Sequence, residues 1–466
     1  MADPDPAPTT PHRILALMAG PAAGLIAALM MHSAGWPIEA CLAAGITTLV
    51  VIWWVFEPIP IPATSLIPLA LMPTFGVLPQ RTVAESYGSP LILLLLGGFI
   101  LSTAMERSGA HRRVALTMVT LFGGSSGRRL VFGFMTAAAL LSMWISNTAT
   151  TLMLLPVALA VLEKSHDRKL ATPLLLGIAF AASLGGIGTP IGTPPNLIFM
   201  QIYAEYTGNE VSFLRWMTWG VPVVLVFLPV MALWLTRNLS GSTRIEVPEV
   251  GAWTVAEARV MAVFGCTALA WITRSEPFGG WSTWFGLPGA SDAAVAFVAV
   301  VAMFLISDGR GGRLLNWETA ERIPWGMLLL FAAGITIARA FEATGISAAL
   351  GATLSGIADW PTLLVIALIC LMITFLTEMT SNTATTTLMM PILAAAALGA
   401  GIDPMLLMVP AAMSASCAFM MPVATAPNAI MFGTGRFTTR EMAGEGFALN
   451  LTGVMVISLM IYLLLS

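Results

Sequence analysis

Long apolar stretches recur along the whole chain, and they constrain its fold more than any other feature. The stretches run for about 17–25 residues, which is the length that a helix needs to cross a bilayer. Only 10% of the 466 residues are charged, whereas soluble domains carry about 25%. The polar connections between the stretches are too short to form a separate soluble core. The sequence therefore predicts an all-α polytopic membrane protein that lies in the lipid bilayer. It indicates no nucleic-acid partner.

Eleven full membrane crossings are predicted from these stretches. They cover residues 14–33, 38–55, 61–78, 89–106, 172–204, 215–236, 257–273, 291–307, 325–342, 403–435 and 445–465. Two further apolar segments, 131–163 and 361–400, are each interrupted in the middle by the letters SNTATT. Each segment forms either two more spans or one re-entrant hairpin. We predict hairpins, which gives about 11 transmembrane helices plus two re-entrant helical hairpins.

Three blocks of sequence occur twice, in the same order and at a nearly constant offset. The pairs are SNTATT at 146–151 and 381–386, PIGTPPN at 190–196 with PVATAPN at 422–428, and Gly98, Glu106 and Gly109 with Gly334, Glu342 and Gly345. Three ordered matches indicate a duplicated unit. We predict a first repeat at 37–236 and a second at 257–466, preceded by a disordered tail at 1–13 and an extra first helix at 14–36.

The basic residues indicate the orientation of the two repeats, because cytoplasmic loops are enriched in Lys and Arg. With the N-terminus inside and the C-terminus outside, most of the 21 Lys and Arg residues lie near the cytoplasmic face. The first interrupted segment is flanked by basic residues, whereas the second lies in a stretch without Lys or Arg between Arg339 and Arg436. The first therefore opens inward and the second outward. Inverted repeats of this kind are the architecture of secondary transporters, with the site near the midplane.

The two SNTATT copies predict helix N-termini inside the membrane. Ser, Asn and Thr favour N-cap positions, so a helix is expected to start after Asn147 and another after Asn382. A helix start carries unpaired N–H groups and a partial positive charge, which an anion would satisfy. Two such tips can hold the two ends of an anion with two charged groups. The alternative, that these small polar residues only bring helices together, is weakened by their repetition.

Proline and glycine interrupt two of the predicted spans at membrane depth. GGIGTPIGTPPN at 185–196 and MPVATAPN at 421–428 are both expected to unwind the helix, because proline removes a donor. The freed carbonyl oxygens, together with Ser, Thr and Asn oxygens, suit a hard monovalent cation such as Na⁺. A simple proline kink is the alternative, and the pairing of each break with an SNTATT copy favours cation sites.

The charged residues of these segments limit the chemistry. Glu378 precedes the second SNT motif inside an apolar run, where it is either functional or a protonated or paired structural residue. No Lys, Arg or His lies in the tips or breaks. An anion would therefore be held by neutral donors, helix ends and bound cations. No metal cluster or nucleophile–base pair is evident, so we predict that the chain is not an enzyme.

Two SNT motifs in inverted repeats, each followed by a GTPPN-like or ATxPN-like break, resemble the divalent anion/Na⁺ symporter (DASS) family. This family includes bacterial dicarboxylate transporters and the sodium–dicarboxylate, citrate and sulfate carriers. FEPIPIPATSLIPLALMPTFGVL at 56–78 and LLGGFILSTAMERSGAHRR at 95–113 are similar to the family as well. The resemblance covers nearly the whole chain, and the doubled SNT is its most specific part.

The resemblance implies a homodimer in the bacterial cytoplasmic (inner) membrane. Each protomer would have scaffold parts at about 14–130 and 257–360 and transport parts at about 131–236 and 361–466. The transport parts would carry both hairpins and move across the membrane like an elevator.

The resemblance also implies the site residues. The substrate would be bound by Ser146, Asn147, Thr148, Ser381, Asn382 and Thr383, with Thr425 beside them. At least two Na⁺ sites are implied, partly through backbone carbonyls: the first at Ser142, Ser146, Asn147 and Gly192, and the second at Thr377, Thr380, Asn382 and Ala424. One departure from the family is Ala426, which stands where a second proline is common and puts loop rigidity or substrate preference in doubt.

The expected function is Na⁺-coupled symport of C4-dicarboxylates such as succinate, malate or fumarate. The alternatives within the fold are a dicarboxylate exchanger without Na⁺ coupling and a carrier of citrate or sulfate. A channel or a membrane enzyme is the alternative from another class. A channel needs no paired broken hairpins, and an enzyme needs catalytic residues that the sequence does not show.

Overall fold

The computed structural model describes residues 11–122, 126–165, 168–239, 251–276, 278–354 and 360–465. These residues form helices, with no β-strand among them and one isolated bridge between Ser307 and Arg313. The first ten residues of the predicted disordered tail lie outside this range.

Helices α1 to α12 belong to the first half of the chain. They are α1 (Pro11–Ser33), α2 (Ile38–Phe56), α3 (Ile61–Thr64), α4 (Leu66–Thr74), α5 (Gln80–Tyr87), α6 (Pro90–Ser108), α7 (Ala110–Phe122), α8 (Gly127–Ser142), α9 (Asn147–Lys164), α10 (Ala171–Gly185), α11 (Pro194–Thr207) and α12 (Phe213–Leu235). Two 3₁₀ turns lie at Arg168–Leu170 and Gly186–Gly188.

Helices α13 to α23 belong to the second half. They are α13 (Val255–Ile272), α14 (Gly280–Trp284), α15 (Asp292–Leu305), α16 (Trp317–Ala320), α17 (Trp325–Ala343), α18 (Ile346–Leu354), α19 (Thr362–Met379), α20 (Asn382–Ala400), α21 (Pro404–Ala415), α22 (Ala426–Phe432) and α23 (Thr439–Leu465). Within the described residues, ten helices are long and apolar enough to cross a membrane.

The third predicted span, 61–78, is shorter and more divided than the sequence suggests. Helix α3 covers four residues and α4 ends at Thr74, after which the chain turns at Gly76. Ser65 lies between these two helices and is held by two side chains. The Trp54 indole donates to Oγ of Ser65, and the Tyr87 hydroxyl donates to the carbonyl oxygen of Ser65. This proline-rich segment therefore forms two short helices and not one continuous span.

Both segments that contain SNTATT are pairs of helices with a short interruption. In the first, α8 ends at Ser142 and α9 begins at Asn147. In the second, α19 ends at Met379 and α20 begins at Asn382. The helix starts predicted from the N-cap residues are thus confirmed. By length and composition alone, α19 and α20 each suffice to cross a membrane, and the re-entrant path of both pairs stays a prediction.

Both spans that contain the proline motifs are interrupted as expected. The first consists of α10, the 3₁₀ turn at Gly186–Gly188 and α11, which begins at Pro194. The second consists of α21 and α22, with residues 416–425 between them. Proline at the first turn of each following helix is compatible with its geometry, because that position needs no intrahelical donor.

The chain divides into two compact units. One contains residues 1–92, 324–358 and 387–402, and the other contains 93–323, 359–386 and 403–466. In the first unit, α1 and α2 approach closely at Gly24 and Gly45, where a Cβ on either would lie within 2.9 Å of the opposite carbonyl oxygen. The second unit contains both SNT motifs and both proline breaks. The predicted scaffold and transport parts remain a prediction.

Candidate functional site in the broken helices

The first tip is held by its own polar side chains. Ser146 is the N-cap of α9, because its Oγ accepts from the N–H of Ala149 at 3.1 Å. The hydroxyl of Ser142, at the end of α8, donates to Oδ1 of Asn147. The N–H groups of Asn147 and Thr148 precede the first intrahelical donor, Thr150. This tip therefore offers backbone donors and a side-chain oxygen pair in one place.

Glycines bring the first break against the first tip. A Cβ at Gly192 would lie 2.5 Å from the carbonyl oxygen of Gly186 and 3.0 Å from that of Ser142. A Cβ at Gly186 would lie 3.0 Å from Oδ1 of Asn147. The hydroxyl of Thr189 also donates to the carbonyl of Met143 in the tip. Three of the residues predicted for the first Na⁺ site, Ser142, Asn147 and Gly192, therefore lie together.

The second tip repeats two side-chain hydrogen bonds of the first. Ser381 accepts from the N–H of Ala384 at 3.1 Å, as Ser146 accepts from Ala149 in the first tip. The hydroxyl of Thr377, in the last turn of α19, lies 2.8 Å from Oδ1 of Asn382, as that of Ser142 pairs with Asn147. The second tip has further bonds, from Thr377 to the carbonyl of Ala415 and from the Thr380 hydroxyl to the carbonyl of Leu376.

Glu378 ties the second tip to the second break. Its carboxylate accepts from the backbone N–H groups of Phe419, Met420 and Met421 at 2.6, 2.8 and 2.9 Å, and from Nδ2 of Asn450 at 2.8 Å. The side chain is only 4% exposed. These four donors satisfy both carboxylate oxygens. Of the two interpretations that the sequence left open, the structure supports a structural anchor inside the site.

Asn196 spans the first break. It lies in the first turn of α11, and its Nδ2 donates to the carbonyls of Gly186 at 2.9 Å and Thr189 at 2.7 Å. The side chain is fully buried, and its Oδ1 has no hydrogen-bond partner among the described atoms. The sequence motif contained this residue, but nothing assigned it a role.

Asn428 spans the second break in the same way. Its Nδ2 donates to the carbonyls of Ala418 at 2.9 Å and Met421 at 3.1 Å, and its Oδ1 is likewise buried without a described partner. Both proline motifs end in asparagine in the sequence, and this repetition could have identified Asn196 and Asn428 as an equivalent pair. Thr425, predicted beside the substrate, is the N-cap of α22 and accepts from the N–H of Asn428 at 3.2 Å.

Helices of the two repeats interlock around these breaks. Helix α22 packs against α9 and α10, and α11 packs against α21. The rings of Phe180 and Phe419 are 4.9 Å apart. Gly220 of α12 and Gly446 of α23 play equivalent parts, since a Cβ on them would meet the carbonyls of Ile187 and Phe419 at 2.4 and 2.2 Å. Helices from the two halves of the sequence therefore pack against each other around the breaks.

The chemistry of this arrangement is that of helix ends and neutral oxygens. The uncommitted N–H groups at the starts of α9 and α20 suit carboxylate oxygens. The hydroxyl, amide and carbonyl oxygens beside them are hard ligands, suited to an alkali cation. Among the described residues, no group of three or more His, Cys, Asp or Glu is arranged to hold a metal ion. Thr148 and Thr383 lie in the first turns of α9 and α20, within reach of the same N-termini.

The paired broken helices define the chain as a membrane transporter. A family model described as citrate transporter (CitMHS) matches residues 51–409, and the chain belongs to that family. The sodium-dependent dicarboxylate transporter SdcS of Staphylococcus aureus (strain bovine RF122 / ET3-1) is 36% identical over 480 residues, which cover 98% of this chain and 92% of the relative. The protein of the same name from strain NCTC 8325 / PS 47 gives the same figures. These matches confirm the family predicted from the SNT motifs.

Solved structures support the fold alone. The YdaH transporter of Alcanivorax borkumensis has a TM-score of 0.58 at 16% identity, covering 82% of this chain and 87% of the other. Neisseria gonorrhoeae MtrF, described as an antimetabolite efflux pump, has a TM-score of 0.59 at 14% identity and covers 82% of each chain. The all-helical transporter fold is therefore shared across distant sequences.

Proposed function

We propose that this chain is a Na⁺-coupled symporter of C4-dicarboxylates such as succinate, malate or fumarate. The observation that carries the proposal is the repetition of one oxygen arrangement at both tips. Ser142 with Asn147, and Thr377 with Asn382, pair a helix-end hydroxyl with the amide oxygen that begins the next helix. The names of the full-length relatives, which are sodium-dependent dicarboxylate transporters, agree with it.

The charge of the site makes a cation necessary. A dicarboxylate carries two negative charges, and the tips and breaks contain no Lys, Arg or His to offset them. Helix N-termini supply only about half a charge each. Na⁺ bound at the oxygen pairs would remove this deficit before the anion enters.

The proposed binding order follows from the same residues. In the first site, the oxygens of Ser142, Ser146 and Asn147 and the carbonyl of Gly192 take one Na⁺. In the second, Thr377, Thr380, Asn382 and Ala424 take another. Ordered tips then present the amides and hydroxyls of SNT to the carboxylates, with Asn147 and Thr148 at one end and Asn382 and Thr383 at the other, flanked by Ser146, Ser381 and Thr425.

Succinate uptake into proteoliposomes tests the proposal. We expect uptake driven by an inward Na⁺ gradient and abolished when K⁺ replaces Na⁺. Uptake that ignores Na⁺ but needs internal dicarboxylate would identify an exchanger. Transport of citrate or sulfate without transport of any C4-dicarboxylate would overturn the substrate assignment.

Alanine at either tip asparagine is predicted to abolish succinate binding. Asn147→Ala and Asn382→Ala each remove an oxygen from a cation site and an amide from the anion site, so succinate uptake should fall at least about a hundredfold. Asn209→Ala, at an exposed position after α11, is the matched control and should transport normally. Normal uptake by either tip variant would show that the tips do not bind the substrate.

The wider assembly is part of the proposal. The family resemblance supports a homodimer in the bacterial inner membrane, with scaffold and transport parts and elevator movement. Light scattering of the purified protein should then give a protein mass of twice 49.2 kDa. The proposed orientation puts the N-terminus inside and the C-terminus outside, so a C-terminal alkaline phosphatase fusion should be active. A monomeric mass or an inactive fusion would overturn these parts separately.

A further inference from the structure

The asparagines of the two proline motifs make the same hydrogen bonds although their surroundings differ. Each Nδ2 donates to carbonyls ten and seven residues earlier in the chain. The residues that supply those carbonyls are not the same in the two repeats, since Gly186 and Thr189 correspond to Ala418 and Met421. Backbone carbonyls are independent of side-chain identity, so the asparagine amide is the only side chain that these two hydrogen bonds require in each break.

The bond to the carbonyl seven residues earlier closes a loop in each break. The loops cover residues 189–196 and 421–428. Gly192 lies in the middle of the first loop and Ala424 in the middle of the second. These are the two positions whose carbonyls the proposed function assigns to the Na⁺ sites.

We propose that Asn196 and Asn428 are positioning residues, one for each cation site, which fix the loop that carries the Na⁺-coordinating carbonyl. This inference rests on the proposed Na⁺-coupled function. Neither asparagine touches the cation. Each acts through the loop that its amide closes.

Asparagine suits this role for a physical reason. An unwound segment inside a membrane frees several carbonyl oxygens at once, and each needs a donor or a ligand. The amide nitrogen has two N–H donors in a fixed plane, so it can hold two carbonyls while the others stay available. Packing alone would need only the shape of the side chain. In both side chains, all the described hydrogen bonds are donated by Nδ2.

Replacement by leucine distinguishes hydrogen-bond donation by the amide from packing of the side chain. Asn196→Leu and Asn428→Leu keep the number and branching of the side-chain heavy atoms and remove both donors. We expect each variant to raise the Na⁺ concentration for half-maximal succinate uptake about tenfold, which corresponds to about 1.4 kcal/mol. The KM for succinate, measured at saturating Na⁺, should stay within about twofold of the original value, because the tips are intact. The Na⁺-dependent rise in melting temperature without succinate should shrink as well.

Gln201→Leu is the matched control. Gln201 is a buried amide on the same helix as Asn196, five positions beyond it and outside the loop. Its replacement should leave the Na⁺ dependence unchanged. If a leucine variant is not monodisperse, Asn196→Ala and Asn428→Ala remove the amide donors without adding bulk or charge, with the same expected rise.

Two results would overturn the inference while leaving the proposed function in place. In the first, the original protein needs Na⁺ but the variants show an unchanged Na⁺ dependence. In the second, they lose maximal rate and stability without a change in Na⁺ affinity, which is the signature of packing alone. Uptake by the original protein that ignores Na⁺ overturns the proposed function instead.

Discussion

The two broken helices reach the same hydrogen-bond pattern with different residues. The first break is lined by glycine, and the second has larger residues at the equivalent positions. The glycines Gly185, Gly186, Gly188 and Gly192 correspond to Cys417, Ala418, Met420 and Ala424. Nearly all of the first break is buried, whereas Met421, Val423 and Ala426 of the second are exposed.

This difference changes what holds each break against its tip. In the first repeat, backbone meets backbone, since a Cβ at Gly185 would lie 2.3 Å from the carbonyl oxygen of Ala139. In the second repeat, the carboxylate of Glu378 stands between the tip and the break and binds three backbone N–H groups. The residue equivalent to Glu378 in the first repeat is Met143, whose carbonyl accepts from the Thr189 hydroxyl.

Both breaks contain the same asparagine–carbonyl hydrogen bonds. The contacts that hold each break against its tip differ between the two repeats. Close backbone packing at glycine holds the first break, whereas hydrogen bonds to one buried side chain hold the second. The second break is therefore expected to depend more strongly on a single side chain than the first. Three sets of substitutions test this difference, in order of decreasing effect.

Replacing Glu378 by the residue of the first repeat should have the largest effect. Glu378→Met leaves three backbone N–H groups and the Asn450 amide buried without their acceptor, at about 1–3 kcal/mol each. We expect little folded protein by fluorescence-detected size exclusion, and no succinate uptake. Glu378→Gln keeps one acceptor oxygen and should be intermediate in melting temperature. A methionine variant as stable as the original would show that the carboxylate does not anchor the second break.

Adding one methyl group to the first break should have the next largest effect. In Gly192→Ala the new Cβ meets backbone rather than a flexible side chain, and such overpacking costs about 1–3 kcal/mol. Succinate uptake should fall about tenfold or more. The reverse change at the equivalent position, Ala424→Gly, creates no clash and should cost uptake only about twofold to threefold.

Gly265→Ala is the control for the added methyl group. Gly265 lies in α13, and a Cβ there has nothing within 4 Å. Uptake by this variant should match that of the original protein. Equal losses from Gly192→Ala and Ala424→Gly would contradict the proposed division between glycine packing and carboxylate anchoring.

Much of the fold was predictable because it depends on local patterns. Apolar length gave most of the spans, N-cap residues gave the starts of α9 and α20, and proline gave both breaks. The doubled SNT motif identified Asn147 and Asn382, whereas Ser142 and Thr377 were implied only by the family resemblance. Each of these features is determined by residues that are close together in the sequence.

The remaining features depend on contacts between distant parts of the chain. Glu378 could not be assigned from sequence because its donors lie 41–43 and 72 residues away. The asparagines of the breaks were visible, but their acceptors are carbonyls, which carry no sequence signal. The division of the third span into α3 and α4 depends on Trp54 and Tyr87 reaching Ser65.

Giving the second break a proline at the position equivalent to Pro194 of the first break should have the smallest effect. Ala426 is the first residue of α22, where proline is tolerated because the N–H has no intrahelical acceptor. The preceding residue, Thr425, has φ −139° and ψ 152°, and Thr193, which precedes Pro194 in the first break, has φ −148° and ψ 145°. Both lie in the extended region that proline requires of the residue before it.

Ala426→Pro should therefore fit without rearrangement. It should stabilise the protein by about 0.4–1 kcal/mol through the unfolded state, seen as a slightly higher melting temperature. Uptake of succinate should stay within about twofold, and its preference over citrate should not change. A shift in substrate preference would show that the loop after Met421 contacts the anion directly. The departure at Ala426 would then be a determinant of specificity and not a neutral difference between two equivalent helix starts.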